Sequence, residues 1–190
     1  MQPFVIVVLL SWMAFVVYWL SAARQVKRPR VRQPAWRRVI GYAGMVVVAL
    51  LLVGTPVPEL PILGLRVFPH GTLAGWAGAG LCVAGLCFAI WARLTIADNW
   101  SADVQIKEGH ELVTTGPYRL VRHPIYAGIV TMLAGTWMLA GSLGSLIGIA
   151  LGFVAVWRKL HMEENYMRRE FPGEYPQYAA RVKRLIPGVF

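Results

Sequence analysis

Acidic residues are scarce in this chain. Nine Asp and Glu stand against nineteen Lys and Arg in 190 residues, and all charged types together make up only 15%. A soluble domain of this size needs far more polar surface than that, which excludes a water-soluble globular fold. Cysteine is nearly absent too. Cys82 and Cys87, the only two, lie five apart inside an apolar run. On a helix they point in different directions and cannot bridge each other, so the bland reading is packing. Metal-type spacing of Cys or His is missing throughout. A nucleotide-binding strand–loop–helix unit is missing as well. The stretch "GWAGAG", Gly75 to Gly80, has the glycine spacing of a dinucleotide loop but opens an apolar run with no strand before it, so packing glycine is the better reading.

What is present is hydrophobic: 57% of the residues, with eight Trp. The apolar residues are blocked into long runs, the signature of a membrane protein. Five runs stand out, and they predict transmembrane helices at about 3–23, 39–54, 73–97, 125–140 and 144–160. The last two come from one stretch broken by the Gly and Ser of "AGSLGS", giving two helices of ~17 residues, at the short end of what crosses a ~30 Å core. The first run has no charge before Arg24, so it lacks the basic leader of a signal peptide and is expected to be retained.

The net charge of +10 invites a nucleic-acid reading, but its placement argues against one. Seven basic residues sit between Arg24 and Arg38, and seven more follow the last run, from Arg158 to Arg184. Such flanking clusters orient membrane proteins and meet anionic headgroups, and no recognition motif accompanies them. With five crossings, the loop after the first run, the loop between the third and fourth, and the C-terminal tail share one side. These hold nearly all the Arg and Lys, so that side is expected to be cytoplasmic and the N-terminus outside. Gly144, Gly148 and Gly152 recur at four-residue spacing, which allows close approach of a neighbouring helix or a second copy, hence a possible homo-oligomer.

Functional polarity concentrates in two stretches on the basic side. In "GPYRLVRHPIYAG", Gly116 to Gly128, Pro124 fits the first turn of the fourth helix and pushes His123 toward an extended conformation. Free N–H groups at that helix start, with Arg122 beside them, predict capture of a carboxylate or phosphate. In the second stretch Glu163 and Glu164 are expected about one turn past the end of the fifth helix, with Lys159 placed for a simple surface pair with Glu163. Tyr175, Tyr178, Val182 and Leu185 recur at helical spacing with basic residues between, predicting an interfacial amphipathic helix that closes over the loop before helix four.

These two stretches, about seventy residues together, resemble the isoprenylcysteine carboxyl methyltransferase family and its phospholipid N-methyltransferase relatives. One half of the pattern is Gly116-Pro117-Tyr118 followed by Arg122-His123-Pro124-Ile125-Tyr126-Ala127-Gly128. The other is Arg158, Glu163-Glu164, Phe171-Pro172-Gly173, Tyr175 and Tyr178. "NWS" at Asn99 to Ser101 and His110 to Val113 also resemble bacterial members. The resemblance implies a single all-α membrane domain over 1–190 without a Rossmann fold, in which 98–124 and 161–190 are cytoplasmic catalytic segments. It implies S-adenosylmethionine as cofactor, with His110, Gly116, Pro117, Tyr118, His123, Pro124, Tyr126, Gly128, Glu163, Glu164, Tyr175 and Tyr178 around it. Arg122, Arg158 and the glutamate pair are implied as catalytic, and no metal is.

Methyl transfer from a sulfonium is an in-line displacement that needs alignment more than acid or base. A carboxylate acceptor needs only a guanidinium to orient it, whereas an amine would need a glutamate as base. The acceptor is expected to be lipophilic and to enter from the bilayer. The sequence leaves carboxylate, amine and thiol open. Two further readings remain beside it: an NADPH-dependent membrane reductase of the sterol type, and a non-enzymatic membrane protein assembled through its glycines.

Overall fold

The computed structural model describes residues 1–23, 61–69, 71–96 and 112–188. Among them there are five α-helices, two short 3-10 turns and no strand, only isolated bridges. The α-helices are numbered here in order: α1 Pro3–Ala23, α2 Thr72–Ile96, α3 Pro124–Ala140, α4 Leu143–Glu170 and α5 Glu174–Arg181. The expected helix at 39–54 lies outside the described residues.

Three of these helices, α1, α2 and α4, are long and apolar enough to cross a membrane; α3 is apolar but shorter, at 17 residues. At 1.5 Å per residue, the 21 residues of α1 extend about 32 Å. The outward faces match a lipid solvent: Leu9, Leu10, Met13, Val17 and Leu20 of α1 are each exposed. What α1 buries is a small seam, where Val8 meets Ala79 and Cys82 of α2. Cys82 is fully buried while Cys87 is exposed, so the two do point apart.

The most extensive packing is between α2 and α3. Glycine makes it possible. A Cβ built on Gly85 would lie 2.5 Å from the carbonyl oxygen of Gly128, and one on Gly128 would lie 2.5 Å from that of Gly85. Gly78 and Gly135 face each other in the same way a turn and more further along. These backbones touch directly, which no residue with a side chain would allow. The glycines at 75 and 78 are therefore packing positions, Gly75 against the ring of Phe4 and Gly78 against α3. A polar tie crosses the same region: Trp12 Nε1 of α1 donates to Thr136 Oγ1 of α3 at 2.9 Å.

The break in the last apolar stretch is sharp. Gly141 adopts φ 62°, the left-handed region that ends α3, and its N–H donates to Trp137 O. Ser142 then caps α4: its Oγ accepts from Ser145 N–H, while Ser145 Oγ accepts from Ser142 N–H, a capping box. The piece 61–69 closes over this turn, with Val67 N–H donating to Gly141 O at 2.8 Å and Leu143 N–H to Leu65 O at 2.7 Å. A Cβ on Gly144 would meet Leu63 of that piece at 3.0–3.2 Å. Gly144 and Gly148, two of the three glycines expected to pack against a neighbouring helix or a second copy, are both buried within this one chain.

Helix α4 departs from expectation at its other end. It does not stop near residue 160 but continues to Glu170, so Glu163 and Glu164 lie on the helix rather than past it. Charge alone does not end a helix. The i,i+4 pairs Lys159–Glu163 and Glu164–Arg168, each at 4.0 Å, favour continuation, and the chain turns only at Phe171-Pro172-Gly173. The amphipathic helix α5 is present but ends at Arg181; Val182 is extended, and Leu185 reaches the core from an irregular segment instead of a helix face.

Candidate functional site

The sequence folds so that its two polar stretches converge at one end of the helical layer. Gly116 takes φ 57° against Thr95 at the end of α2, and the 3-10 turn Gly116–Arg119 follows with Pro117 and Tyr118 buried. His123 is the N-cap residue and Pro124 the first residue of α3, as expected from the missing N–H of proline. Beneath this turn Val121, Ala127, Leu160 and Leu185 form an apolar cluster, which joins α3, α4 and the C-terminal segment.

Glu164 is the polar centre above that cluster. Its side chain is 3% exposed. Oε1 accepts from Arg122 Nη2 at 2.8 Å and Nε at 3.1 Å, and from Arg184 Nε at 3.1 Å; Oε2 accepts from Arg184 Nη2 at 2.9 Å. His123 Nε2 stands 3.3 Å from Oε1. Arg122 also donates through Nη1 to Ala179 O at 2.7 Å and Val182 O at 2.8 Å. Four of the five N–H donors of its guanidinium are thus committed within the chain. The backbone adds to the joint, since Arg122 N–H donates to Lys183 O and His123 N–H to Arg184 O.

Arg122, expected to offer its charge to a bound anion, spends these donors within the chain. It is a buried tie between the turn, α4 and the C-terminal segment, because a carboxylate and two carbonyls of the chain itself already satisfy it. Gly128, expected beside the cofactor, faces Gly85 and Ala89 of α2 in the helix crossing. Arg158 is exposed and makes no ion pair or hydrogen bond among the described residues, so it stands apart from the cluster. His110 lies outside the described residues.

Glu163, next to Glu164 on α4, has a different setting. Tyr126 donates its hydroxyl to Glu163 Oε1 at 2.6 Å, and the Glu163 side chain is 27% exposed. His123 Nδ1 is 3.7 Å from Oε2, beyond hydrogen-bond distance. Glu163 Oε2 accepts no hydrogen bond among the described residues. Tyrosines that stay neutral stand at this end of the helices. Burial pushes the Tyr118 hydroxyl well above its ordinary range, reinforced by Tyr178 and Glu163 and opposed by Arg93. Burial likewise raises Tyr175 and Tyr178. Tyr178 Oη donates to Tyr118 O at 2.6 Å, pinning α5 to the turn.

The structure thus brings together Gly116, Pro117, Tyr118, Arg122, His123, Pro124, Tyr126, Glu163, Glu164, Tyr175 and Tyr178. Sequence reasoning missed two residues here. Arg184 looked like one more flanking charge, and no spacing ties it to a glutamate twenty positions earlier. Arg93, buried in the last turn of α2 with its charge acting on Tyr118, was legible only as an arginine lying inside the predicted helix 73–97.

Comparison with known proteins agrees with this geometry. The family model described as phospholipid methyltransferase matches residues 73–174, more than half of the chain. Among curated proteins, the chain is 36% identical over 118 residues to protein-S-isoprenylcysteine O-methyltransferase B of Arabidopsis thaliana, covering 59% of this chain and 58% of that one. It is 28% identical to the cobalt-zinc-cadmium resistance protein CzcN of Cupriavidus metallidurans, over 88% of this chain and 69% of the other. Its fold is similar to the solved structure of a eukaryotic intramembrane Ras methyltransferase, isoprenylcysteine carboxyl methyltransferase, with a TM-score of 0.57 at 22% identity, covering 84% of this chain and 55% of that one. The match thus spans less than two thirds of the plant relative and of the solved chain. With its apolar helices and the family motif assembled at their end, the chain is a multi-pass membrane protein that belongs to the phospholipid methyltransferase family.

Proposed function

We propose that this protein is an S-adenosylmethionine-dependent methyltransferase that methylates a lipophilic acceptor at the cytoplasmic face of a prokaryotic membrane. The observation that carries the reading is the convergence of the two motif halves: Tyr126 on Glu163 and Arg122 on Glu164 join segments about forty residues apart in sequence. The donor set suits a ligand that carries positive charge, since an open carboxylate oxygen lies among neutral tyrosines. Tyr118, His123, Tyr126 and Glu163 would hold the cofactor, with Tyr175 and Tyr178 supporting them from α5. When bound, the cofactor supplies a methyl group activated by a sulfonium, and an in-line acceptor takes it without acid catalysis.

The chain's part is to align, to exclude water and to balance charge. The Glu164 joint fixes the turn against α4, so that Tyr126 and Glu163 hold their relative positions. Five crossings with the basic loops in the cytoplasm place this end of the helices at the inner headgroup level. An acceptor can then arrive sideways from lipid. A prenylcysteine-like carboxylate is the favoured acceptor because the plant relative and several others are named for it, and the exposed guanidinium of Arg158, without an ion pair among the described residues, would orient it. A phospholipid amine is the second reading, favoured by the family description; there Glu163 Oε2 would accept the proton lost by the amine.

The test is thermal unfolding of the purified protein in lipid nanodiscs with S-adenosylhomocysteine or NADPH. S-adenosylhomocysteine raises Tm in a concentration-dependent way, as a ligand of the native state must, and NADPH leaves it unchanged. Stabilisation by NADPH alone would replace the methyltransferase reading with the reductase one.

A further inference from the structure

Tryptophan is placed unevenly along the helices. Trp12, in the middle of α1, turns inward and spends its N–H on Thr136 Oγ1 of α3. The other tryptophans among the described residues gather at two depths. Away from the Glu164 joint, Trp76 meets Phe4 edge to face at 6.1 Å, and Trp137 lies 4.9 Å from Phe68. Gly78 faces Gly135 across the α2–α3 crossing, and Trp76 and Trp137 each lie two residues beyond that contact toward the same end, so the two pairs share a depth. At the other end, Gly85 faces Gly128; Trp91 lies six residues past Gly85 and Arg122 six before Gly128, which puts Trp91 level with the joint. Trp157 of α4 is there too, with the Arg184 guanidinium 5.1 Å above its ring. On α1, which runs alongside α2 from Phe4 against Gly75, Trp19 stacks on Phe15 near the same depth. Trp76 and Trp91 are 50% and 47% exposed, so these rings face lipid rather than fill a core. Two such girdles are what a protein sets at the headgroup level on either side of a membrane.

The girdles stand close together. Phe4 to Trp19 on α1 and Trp76 to Trp91 on α2 are both fifteen residues apart, a rise of about 22 Å. Helix α4 agrees: Leu143 to Trp157 carries no charge, rises about 21 Å, and is followed at once by exposed Arg158. The 17 residues of α3 rise about 25 Å between the polar turn at His123 and the break at Gly141. An ordinary hydrocarbon core is ~30 Å thick, and helix tilt only shortens the protein's side of the comparison. We propose that the protein presents to the bilayer an apolar girdle about 8 Å shorter than an ordinary core, and that its lipid partner is a locally thinned ring of phospholipid. An unthinned bilayer would draw Arg158 into hydrocarbon, and compressing acyl chains costs far less than burying that charge. Thinning also brings the headgroups of the near leaflet to the depth of the Glu164 joint. The girdle follows from the helices alone and does not depend on the methyltransferase reading.

The experiment reconstitutes the full chain in vesicles of phosphatidylcholine and reads its tryptophan fluorescence. Phosphatidylcholine brominated on its chains quenches the lipid-facing rings, and competition with unbrominated lipid of about 14 to 22 carbons per chain gives the relative affinity for each thickness. The shortest chains are expected to bind ~5- to 10-fold more tightly than chains of about 18 carbons, as fractions of a kcal/mol per Å of mismatch add up. Replacing Trp76→Leu together with Trp91→Leu lengthens the apolar face, since exposed Leu73 and Leu94 then continue it at either end. That double variant is expected to shift the preferred chain length upward. Trp12→Phe, which removes an interior ring, leaves the preference where it was even if Tm falls. The proposal is overturned if the wild type binds chains of about 18 carbons best, or binds all lengths equally. A flat profile accompanied by oligomers that grow with chain length overturns it as well, because the mismatch is then relieved by assembly instead of by lipid. So does a short-chain preference that the double variant keeps unchanged. Should the double variant fail to fold, the chain-length profile of the wild type decides by itself.

Discussion

The crossing of α2 and α3 and the joint around Glu164 hold the same small protein together by opposite means. At the crossing the backbones of Gly85 and Gly128 touch with nothing between them, and the contact contains no charge. At the joint, a carboxylate and two guanidinium groups do the holding, with backbone carbonyls of the C-terminal segment as additional acceptors. The difference follows from solvent. Within lipid there is no hydrophobic driving force between helices, so close van der Waals packing of small residues brings them together. At the helix ends, water and polar backbone are available, and a buried carboxylate can be satisfied by cations that arrive from two separate segments. The first region sets the frame; the second fastens the motif to it.

The comparison breaks most readily at the joint. Glu164→Gln leaves Arg122 buried and Arg184 without its partner, and removing one member of a buried pair costs about 3–5 kcal/mol. The expected outcome is a large drop in Tm or urea midpoint, and partial recovery when Arg184→Gln is added, since that removes one of the stranded charges. At the crossing, Gly85→Ala or Gly128→Ala forces a methyl onto a carbonyl oxygen and costs about 1–3 kcal/mol, as overpacking does. Gly80→Ala is the control: nothing lies within 4 Å of its Cβ position, so stability is unchanged or slightly raised. Tyr178→Phe is the next smaller change. It deprives the buried Tyr118 carbonyl of its donor and lowers stability by about 1–2 kcal/mol without changing charge. The smallest effect, about 1 kcal/mol, is expected for Ser142→Ala, which removes the cap of α4 away from both regions. If Gly85→Ala destabilised more than Glu164→Gln, the ranking of packing below charge would be reversed.

Much of this architecture was legible because hydropathy runs and punctuation are local signals. The α3–α4 break is written in Gly141 and Ser142, and Pro124 announces the start of α3. The end of α4 was misjudged because loss of hydropathy was taken for loss of helix; the apolar run ends near Leu160, while the helix continues to Glu170. The site was legible as a set of motif residues, through the resemblance, but their partners were not. Arg122 looked like a free anion-binding group, since sequence cannot show that Glu164 and the carbonyls of Ala179 and Val182 arrive at its donors. Gly128 was assigned by motif to the cofactor, while its neighbour Gly85 sits in another helix with no sequence cue linking them. Arg184 and Arg93 were hidden for the same reason: long-range pairing leaves no periodicity.

The central claim is that this end of the helical layer transfers methyl groups to a lipophilic acceptor. The direct measurement is incorporation of labelled methyl from S-adenosylmethionine by the purified protein in nanodiscs, with a prenylcysteine analogue or total lipid extract as acceptor. The account predicts label in the organic phase, lost in Glu163→Gln while the fold remains intact. Absence of label from both acceptors, by a protein that is folded and saturated with cofactor, would contradict it.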